Sequence, residues 1–295
     1  MTTTKRTVDW VDAFTAVPFG GNGCAVVHNA GELSDATCMA FTRETSLVEC
    51  TFLEPSQIAD VKVRYFLASG EIPFAGHPTI ATAASLYHQG KIGLGQSTFE
   101  TGAGVVPVEL SEPDGRLLVQ MTQVAPIFGG TVATDRVAKV MGLAEDDIVA
   151  TPQNVSTGLP FWIVLVKDRE TIERAVLNEV ALTEMIADLG AREGMMEPYL
   201  ITMEGATERG DTFSRLLLPP PSPPEDPFTG SATGAAAAYL WANGHAPTPT
   251  WVAEQGHGMG RPGEALVEVL GPREAITGVR VSGAAHVLMS GSLYL

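Results

Sequence analysis

Glu71-Ile-Pro-Phe-Ala-Gly-His-Pro-Thr-Ile-Ala-Thr-Ala-Ala-Ser-Leu-Tyr-His-Gln-Gly90 and Glu225-Asp-Pro-Phe-Thr-Gly-Ser-Ala-Thr-Gly-Ala-Ala-Ala-Ala-Tyr-Leu-Trp-Ala-Asn-Gly244 are two copies of one segment. Ten of the twenty positions are identical, at a constant offset of 154 residues in a chain of 295. A repeat at half the chain length predicts duplicated domains related by a pseudo-two-fold axis, not a short-period solenoid. Each copy is a single physical device. Pro and Gly make a tight turn, a small or polar residue follows, and an Ala-rich helix runs to a terminal Gly. Such a helix is thin enough to be buried on all sides. A turn that delivers a helix N-terminus also leaves backbone N–H groups that favour an anion, here those around Gly76 and Gly230. Two such ends facing one another would form a cleft for a carboxylate-bearing substrate. Two ordinary buried helices after Gly turns are the plainer reading, which the matching of the copies argues against.

Composition narrows the possible partners. With 45% hydrophobic and 18% charged residues the chain can build real cores and is not a disordered polymer. A net charge of −16 and a pI near 4.7 argue against nucleic acid or an anionic membrane as partner. An acidic small molecule must then be held locally, by helix ends or a few donors. The opening Met1-Thr-Thr-Thr-Lys-Arg carries no apolar signal core, and no run of 18 apolar residues is present. Cys24, Cys38 and Cys50 lack metal-type spacing and read as reduced thiols of a cytoplasmic protein.

Patterning predicts strands over Thr7–Phe14, Cys24–His28, Leu47–Leu53, Val61–Phe66, Thr98–Glu100, Val105–Leu110 and Leu117–Met121. Helices are expected over Asp35–Glu44, from His77, and over Thr134–Met141. In the second half, strands are expected at Pro160–Val166, Tyr199–Met203, Thr212–Leu217, Thr250–Glu254, Ala265–Leu270, Thr277–Ser282 and Ala285–Leu293. A helix near Leu182–Leu189 precedes the second Ala-rich one. Each half is therefore mostly strand with one buried helix, an α+β arrangement in which a curled sheet wraps a helix. Val124–Gly130 is the candidate boundary. It gives an N-terminal domain over 1–124, completed by a last strand at 284–295, and a C-terminal domain over 125–283. Pro219-Pro-Pro-Ser-Pro-Pro224 reads as a stiff approach loop to the second turn.

Few residues stand out as chemistry. Walker, HExxH and GxSxG signatures are missing from the sequence. Gly258-Met-Gly-Arg-Pro-Gly263 matches GxGxxG but lies between two strands, with no helix to open, so a nucleotide site is rejected. The loop Gly256–Gly263 is either a plain hairpin connection or a source of N–H donors near a ligand. Glu49 interrupts an apolar strand, and period-2 alternation would put it with Leu47, Thr51 and Leu53, with Cys50 on the other face. Buried there, its carboxyl would serve as a general acid/base; otherwise it is a solvent-facing strand residue. His77 opens the first repeat helix, where an imidazolium is disfavoured. Asp226 stands where the first copy has Ile72, and Ser231 where it has His77. Their plain alternatives are a turn carboxylate and an N-cap.

Together these residues resemble the PhzF-like branch of the diaminopimelate epimerase-fold superfamily. The matching segments are Val11-Asp-Ala-Phe-Thr with Gly21-Asn22, Glu49-Cys-Thr-Phe-Leu53, Arg64-Tyr-Phe66, Glu71 to Thr79, Ser156-Thr-Gly158, Glu225 to Ser231, and Glu254-Gln-Gly256 with Met259-Gly-Arg-Pro262. They run in family order along almost the whole chain. The resemblance implies two pseudo-symmetric domains, each a β-barrel-like sheet around a central α-helix, with a cofactor-free active site between them and a homodimeric assembly. It implies Glu49 as the acid/base, His77 as the active-site His, and Asp226 with Ser231 as the acidic and hydroxyl residues opposite. Asn22, Gly76, Gly230, Ser231 and Gly256 complete the expected substrate-binding set, with no metal and no cofactor.

One departure decides the expected chemistry. Racemases of the superfamily carry catalytic thiols where this chain has Ala75 and Thr229. A two-thiol racemisation is therefore not available. A single carboxyl that removes a proton from one carbon and returns it to another on the same face is an isomerase of a small carboxylic acid. An epimerase or lyase on the same scaffold, or a non-catalytic metabolite-binding protein, are the alternatives.

Overall fold

The computed structural model describes residues 4–190 and 197–295; residues 1–3 of the opening stretch read above lie outside the described residues. The chain divides into two compact units, Met1–Thr122 with Ser282–Leu295, and Gln123–Val281.

The first unit contains β1 (Lys5–Ala13), β2 (Asn22–Val27), α1 (Asp35–Thr45), β3 (Cys50–Glu54), β4 (Val61–Leu67), β5 (Gly70–Ile72), α2 (Gly76–His88), β6 (Gly95–Thr101), β7 (Gly104–Ser111) and β8 (Leu118–Gln123). Strand β1 lies antiparallel between β2 and the chain's last strand, residues 278–294. From β2 the pairing runs parallel to β3, antiparallel to β4, parallel to β6, then antiparallel through β7 and β8. A pairing of β8 with the last strand closes these eight strands into a barrel. The period-2 pattern is visible along β6, where Ser97, Phe99 and Thr101 are buried and their neighbours are not. The two C-terminal strands expected at 277–282 and 285–293 are one continuous strand. The Gly283-Ala284 pair does not break it: a Cβ at 283 would come within 2.5 Å of the Phe14 ring, so the glycine serves close packing.

The second unit contains β9 (Ile127–Thr131), α3 (Thr134–Met141), β10 (Gln153–Ser156), β11 (Pro160–Leu165), α4 (Arg169–Arg174), α5 (Glu179–Leu189), β12 (Pro198–Thr202), β13 (Thr212–Leu217), β14 (Glu225–Asp226), α6 (Gly230–Ala242), β15 (Thr250–Gln255), β16 (Gly263–Leu270) and the start of β17 (Gly278–Tyr294). Its pairing follows the same sequence of directions. Strands β11 and β12 are parallel as β2 and β3 are, and β13 and β15 are parallel as β4 and β6 are. Short strands β5 and β14 hang on β4 and β13, each leading into the turn of a repeat copy. The expected α+β class, a barrel-like sheet around a helix, is the fold observed.

Helices α2 and α6 are each 13 residues long, and their first eleven residues are all buried. Helix α2 packs on β1, β2 and β3, and α6 on β10, β11, β12 and β16. Alanine makes both possible. It is the best helix former, costs no side-chain entropy, and lets the sheet approach the helix backbone. Pro78 sits in the first turn of α2, where its missing N–H belongs to a group that has no helical partner anyway. Each helix ends at a glycine with positive φ, Gly90 at 66° and Gly244 at 76°.

Outer helices cover the sheets. In the first unit Phe41 and Phe66 both meet Phe52 edge-on, at 5.9 and 5.3 Å. Burying a side chain such as Phe52 stabilises by about 1.5–3 kcal/mol. In the second, Val137, Met141, Leu182 and Met185 of α3 and α5 share a core with Trp162, Val164, Leu200 and Phe213. The helices expected at Asp35–Glu44, Thr134–Met141 and Leu182–Leu189 are these covers, and the short α4 is not among those expected.

Candidate functional site

The first copy's turn gathers four of the expected residues, Gly76, His77, Asn22 and Glu49. Ala75 is the N-cap of α2, with extended φ/ψ and no side-chain cap bond, and Gly76 and His77 follow as its first two residues. Asn22, the first residue of β2, places its Nδ2 3.1 Å from His77 Nδ1. Glu49 Oε2 lies 3.5 Å from the same nitrogen. The Asn22 amide and the Glu49 carboxyl thus meet the same ring nitrogen, whose role as donor or acceptor is set by the ring's tautomer. Asn22 and His77 are buried, and the Glu49 side chain is 13% exposed. Gly21 makes the approach to Asn22 possible: its φ is 50°, and a Cβ there would lie 2.0 Å from the Ala13 carbonyl oxygen.

Glu49 is tucked in by a different route from the one expected. Strand β3 begins at Cys50, so Glu49 is not part of the strand's alternation. Helix α1 ends at Ser46 in the left-handed region, φ 56°, and Leu47–Glu49 is the link that carries the chain from that turn into β3. A link residue is aimed by its own turn and not by the pleat, which is why period-2 counting misplaces it.

The second copy's turn is more heavily wired. Asp226 ends β14 and is buried. Thr229 Oγ1 donates to Asp226 Oδ2 at 2.6 Å. Gln255, the last residue of β15 and fully buried, accepts at Oε1 from Thr229 N–H at 3.0 Å. Its Nε2 donates to the Asp226 carbonyl at 2.8 Å and to Thr229 Oγ1 at 3.2 Å. Tyr199 also donates to Gln255 Oε1, at 3.2 Å, and burial pushes its phenol up to about 12, so it stays a neutral donor. Ser231 is the second residue of α6 and not its N-cap, a position held by Thr229. Gln123 Nε2 donates to the Gly230 carbonyl at 2.8 Å, and Thr157 Oγ1 donates to Gln123 Oε1 at 2.5 Å. Gly256, φ 83°, lies against the turn: a Cβ would be 2.4 Å from Arg261 O and 2.5 Å from Pro227 O. The loop after it closes the antiparallel β15–β16 hairpin.

Gln255, Tyr199, Gln123, Thr157 and the Thr229–Asp226 bond were missed as site components by sequence reasoning. A signal for one of them exists. At the repeat offset Gln255 stands opposite Thr101, and each ends the first strand after its copy's buried helix.

The three cysteines are free and buried. Burial pushes the Cys24 thiol well up, Cys50 up and Cys38 to about 11, so all three are protonated thiols at neutral pH. Among the described residues no group of three or more His, Cys, Asp or Glu side chains is arranged to hold a metal ion, and no helix is long and apolar enough to cross a membrane.

The family model for phenazine biosynthesis-like proteins matches residues 11–291. The chain belongs to that family. It is 32% identical over 295 residues to an uncharacterized isomerase, YddE, of Salmonella typhimurium, covering 96% of this chain and 97% of the relative. It is 29% identical over 300 residues to a trans-2,3-dihydro-3-hydroxyanthranilate isomerase of Pseudomonas fluorescens, covering 97% and 98%. Among solved structures, a predicted epimerase of Pseudomonas aeruginosa superposes with a TM-score of 0.84 at 31% identity, over 98% of this chain and 99% of that one. The resemblance drawn from the sequence motifs is thereby established, and with it the enzyme class: an isomerase on the epimerase fold.

Proposed function

We propose that this phenazine biosynthesis-like protein is a cofactor-independent isomerase that moves a proton, and with it a double bond, within a small unsaturated carboxylic acid. Glu49 is the base. It takes a proton from one carbon, the electron pair of that C–H bond shifts into the adjoining π-system, and the protonated Glu49 returns the proton to another carbon on the same face. No bond to the protein forms and no redox partner is needed, so atoms and electrons balance within the substrate. His77 and Asp226 hold and polarise the substrate. Asn22, Gly76, Gly230, Ser231 and Gly256 bind it, the glycines through backbone N–H groups.

One observation carries this reading: Glu49 and Asn22 converge on His77 Nδ1 at the start of α2, while neither turn holds a thiol, since Ala75 and Thr229 stand there. A single, largely covered carboxyl beside a histidine is equipped for one-base transfer and not for two-base racemisation. The protein is further proposed to act as a cytoplasmic homodimer on a small carboxylate.

The test is turnover of a panel of unsaturated carboxylic acids in D2O, followed by NMR and mass spectrometry. The panel starts with trans-2,3-dihydro-3-hydroxyanthranilate, the compound named for the Pseudomonas relative. Glu49→Gln should lower turnover by about 10²–10⁴-fold, the range for losing a general base, while ligand binding persists. Undiminished turnover in Glu49→Gln removes Glu49 as the base. Binding by the wild type without turnover or label exchange for any compound overturns the catalytic reading in favour of a metabolite-binding protein.

A further inference from the structure

The wiring around Asp226 has a direction that follows from donor counting. Thr229 N–H can only donate, so the Gln255 atom facing it is the carbonyl oxygen Oε1, and the amide orientation is fixed. Nε2 therefore points its two hydrogens at the Asp226 carbonyl and at Thr229 Oγ1. A hydroxyl that already accepts from an amide has one hydrogen of its own left, and the bond to Asp226 Oδ2 at 2.6 Å uses it. Thr229 also occupies the N-cap of α6, where a threonine hydroxyl ordinarily accepts from the first-turn N–H groups, yet its side chain makes no cap bond. It is turned to the carboxylate instead.

The repeat supplies an internal control. The first copy has Ile72, Ala75 and Thr101 where the second has Asp226, Thr229 and Gln255. Thr101 donates to the Gly104 carbonyl in its own hairpin. The three polar residues occur together in one copy, and all three are replaced in the other. The elements shared by both copies, including Thr79 donating to the Ala75 carbonyl and Thr233 to the Thr229 carbonyl, hold the helix start without them.

We infer that Thr229 and Gln255 are positioning residues for Asp226: Thr229 orients the carboxylate through its hydroxyl, and Gln255 forces that hydroxyl to donate to Asp226 by occupying its acceptor side. The catalytic consequence rests on the isomerase reading above; the positioning itself does not. Gln255→Glu sharpens the point, because a carboxylate at 255 has no hydrogen to give Thr229 and competes with Asp226 for the hydroxyl proton.

The experiment uses full-length protein carrying 13Cγ-labelled aspartate, with the Asp226 resonance assigned by its loss in Asp226→Asn. Thr229→Val and Gln255→Glu should both move that resonance, and Thr229→Ser, which keeps the hydroxyl, should leave it in place. Denaturant midpoints of Thr229→Val and Thr229→Ser verify that the comparison is between folded proteins. With any compound the wild type turns over, Thr229→Val and Gln255→Glu should each lower kcat by about tenfold or more, the loss expected for one charge-assisted hydrogen bond, with a smaller change in KM. Thr229→Ser should restore the rate. An Asp226 resonance that ignores both Thr229→Val and Gln255→Glu overturns the inference whatever the enzyme's activity. A wild type with no turnover defeats the isomerase reading alone, since the resonance still decides the positioning.

Discussion

Helices α2 and α6 start from the same twenty-residue pattern and are anchored in the same way, but they carry different polar side chains at their starts. In both copies an arginine on the preceding strand holds the glutamate that opens the repeat. Arg64 grips Glu71 at 2.9 and 2.6 Å, and Arg215 grips Glu225 at 2.9 and 2.7 Å, each through Nε and Nη2. In both, a threonine in the first turn ties back to the N-cap carbonyl and meets a buried tyrosine hydroxyl, Tyr65 with Thr79 and Tyr199 with Thr233. The differences fall at the helix starts. The first copy presents His77 with Glu49 and Asn22; the second presents Asp226 with Thr229 and Gln255. A duplicated scaffold has kept its clamps and changed the side chains they aim.

Exchanging residues between the copies measures how far that specialisation reaches into packing. Ile80 of α2 stands where α6 has Gly234. Ile80 is fully buried, whereas a Cβ at Gly234 would lie 1.9 Å from Gln123 Oε1. Gln123 cannot simply swing away, because it is buried and bonded to both Gly230 and Thr157. Gly234→Ile should therefore destabilise by about 3 kcal/mol or more, through overpacking and the loss of those hydrogen bonds, read as a lower urea midpoint. Removing the amide in Gln123→Ala should recover part of the loss, since the two residues touch. A Gly234→Ile protein as stable as wild type would show that the Ile80/Gly234 difference is free drift and not a packing requirement.

How much of this was legible in the sequence depends on the kind of interaction. The repeat, both Ala-rich helices and most strands follow from local pattern, and Thr134–Met141 and Thr212–Leu217 have the expected bounds. Glu49 shows where local pattern fails: period-2 counting puts it on a strand face, but it lies before β3, in the link that follows the left-handed Ser46. Gln255 and Tyr199 show a second limit. Their meeting with Thr229 joins residues up to 56 apart in the chain, and no periodicity encodes such a contact. The short strands β5 and β14 and the helix α4 are too brief to produce a periodic signal.

The arginine clamps give the next comparison. Arg215 and Glu225 side chains are 15% and 13% exposed, and Arg215 Nη1 also donates to the carbonyls of Ile172 and Glu173 at 2.9 and 3.1 Å. Arg64 is equally covered, but Glu71 is 38% exposed. Lysine cannot reproduce a two-pronged grip, so both Arg→Lys changes remove it. Water compensates the Arg64–Glu71 pair far better than the Arg215–Glu225 pair. Arg215→Lys should cost about 2 kcal/mol and Arg64→Lys about 1 kcal/mol or less, measured as the difference in unfolding free energy. Equal costs would mean that exposure of the glutamate does not distinguish the clamps.

The opposite ends of the helices differ by a buried charge network. Past the last turn of α2, His28 Nε2 lies 3.0 Å from Asp9 Oδ2 and 2.8 Å from Ser85 Oγ, and Lys91 Nζ lies 2.9 Å from its Nδ1. Gln89 and Ser290 also donate to Asp9. Past α6, the His245 ring stacks on Tyr239. Burial lowers the proton affinity of both imidazoles, and for His28 the Lys91 ammonium adds to the effect while Asp9 opposes it. Below the ordinary value of 6.5 the unfolded chain takes up a proton at His28 that the folded protein does not yet bind. The unfolded state then holds more protons, so stability falls as the pH is lowered through that window. Asp9 acts in a separate window. Burial would raise its carboxyl, but hydrogen bonds from Ser290, Ser85, His28 and Gln89 hold it low, so its contribution is lost only below about 3.8. His28→Gln should therefore flatten the stability profile just below pH 6.5, by no more than about 1.36 kcal/mol per pH unit for one proton. His245→Gln, at a half-buried site without an ammonium neighbour, should flatten it less. Urea unfolding of both variants between pH 5 and 7, on about half-unit steps, ranks them. If His245→Gln flattens the curve more, the buried network at the end of α2 is fully compensated, and the two helix ends differ in contacts but not in proton linkage.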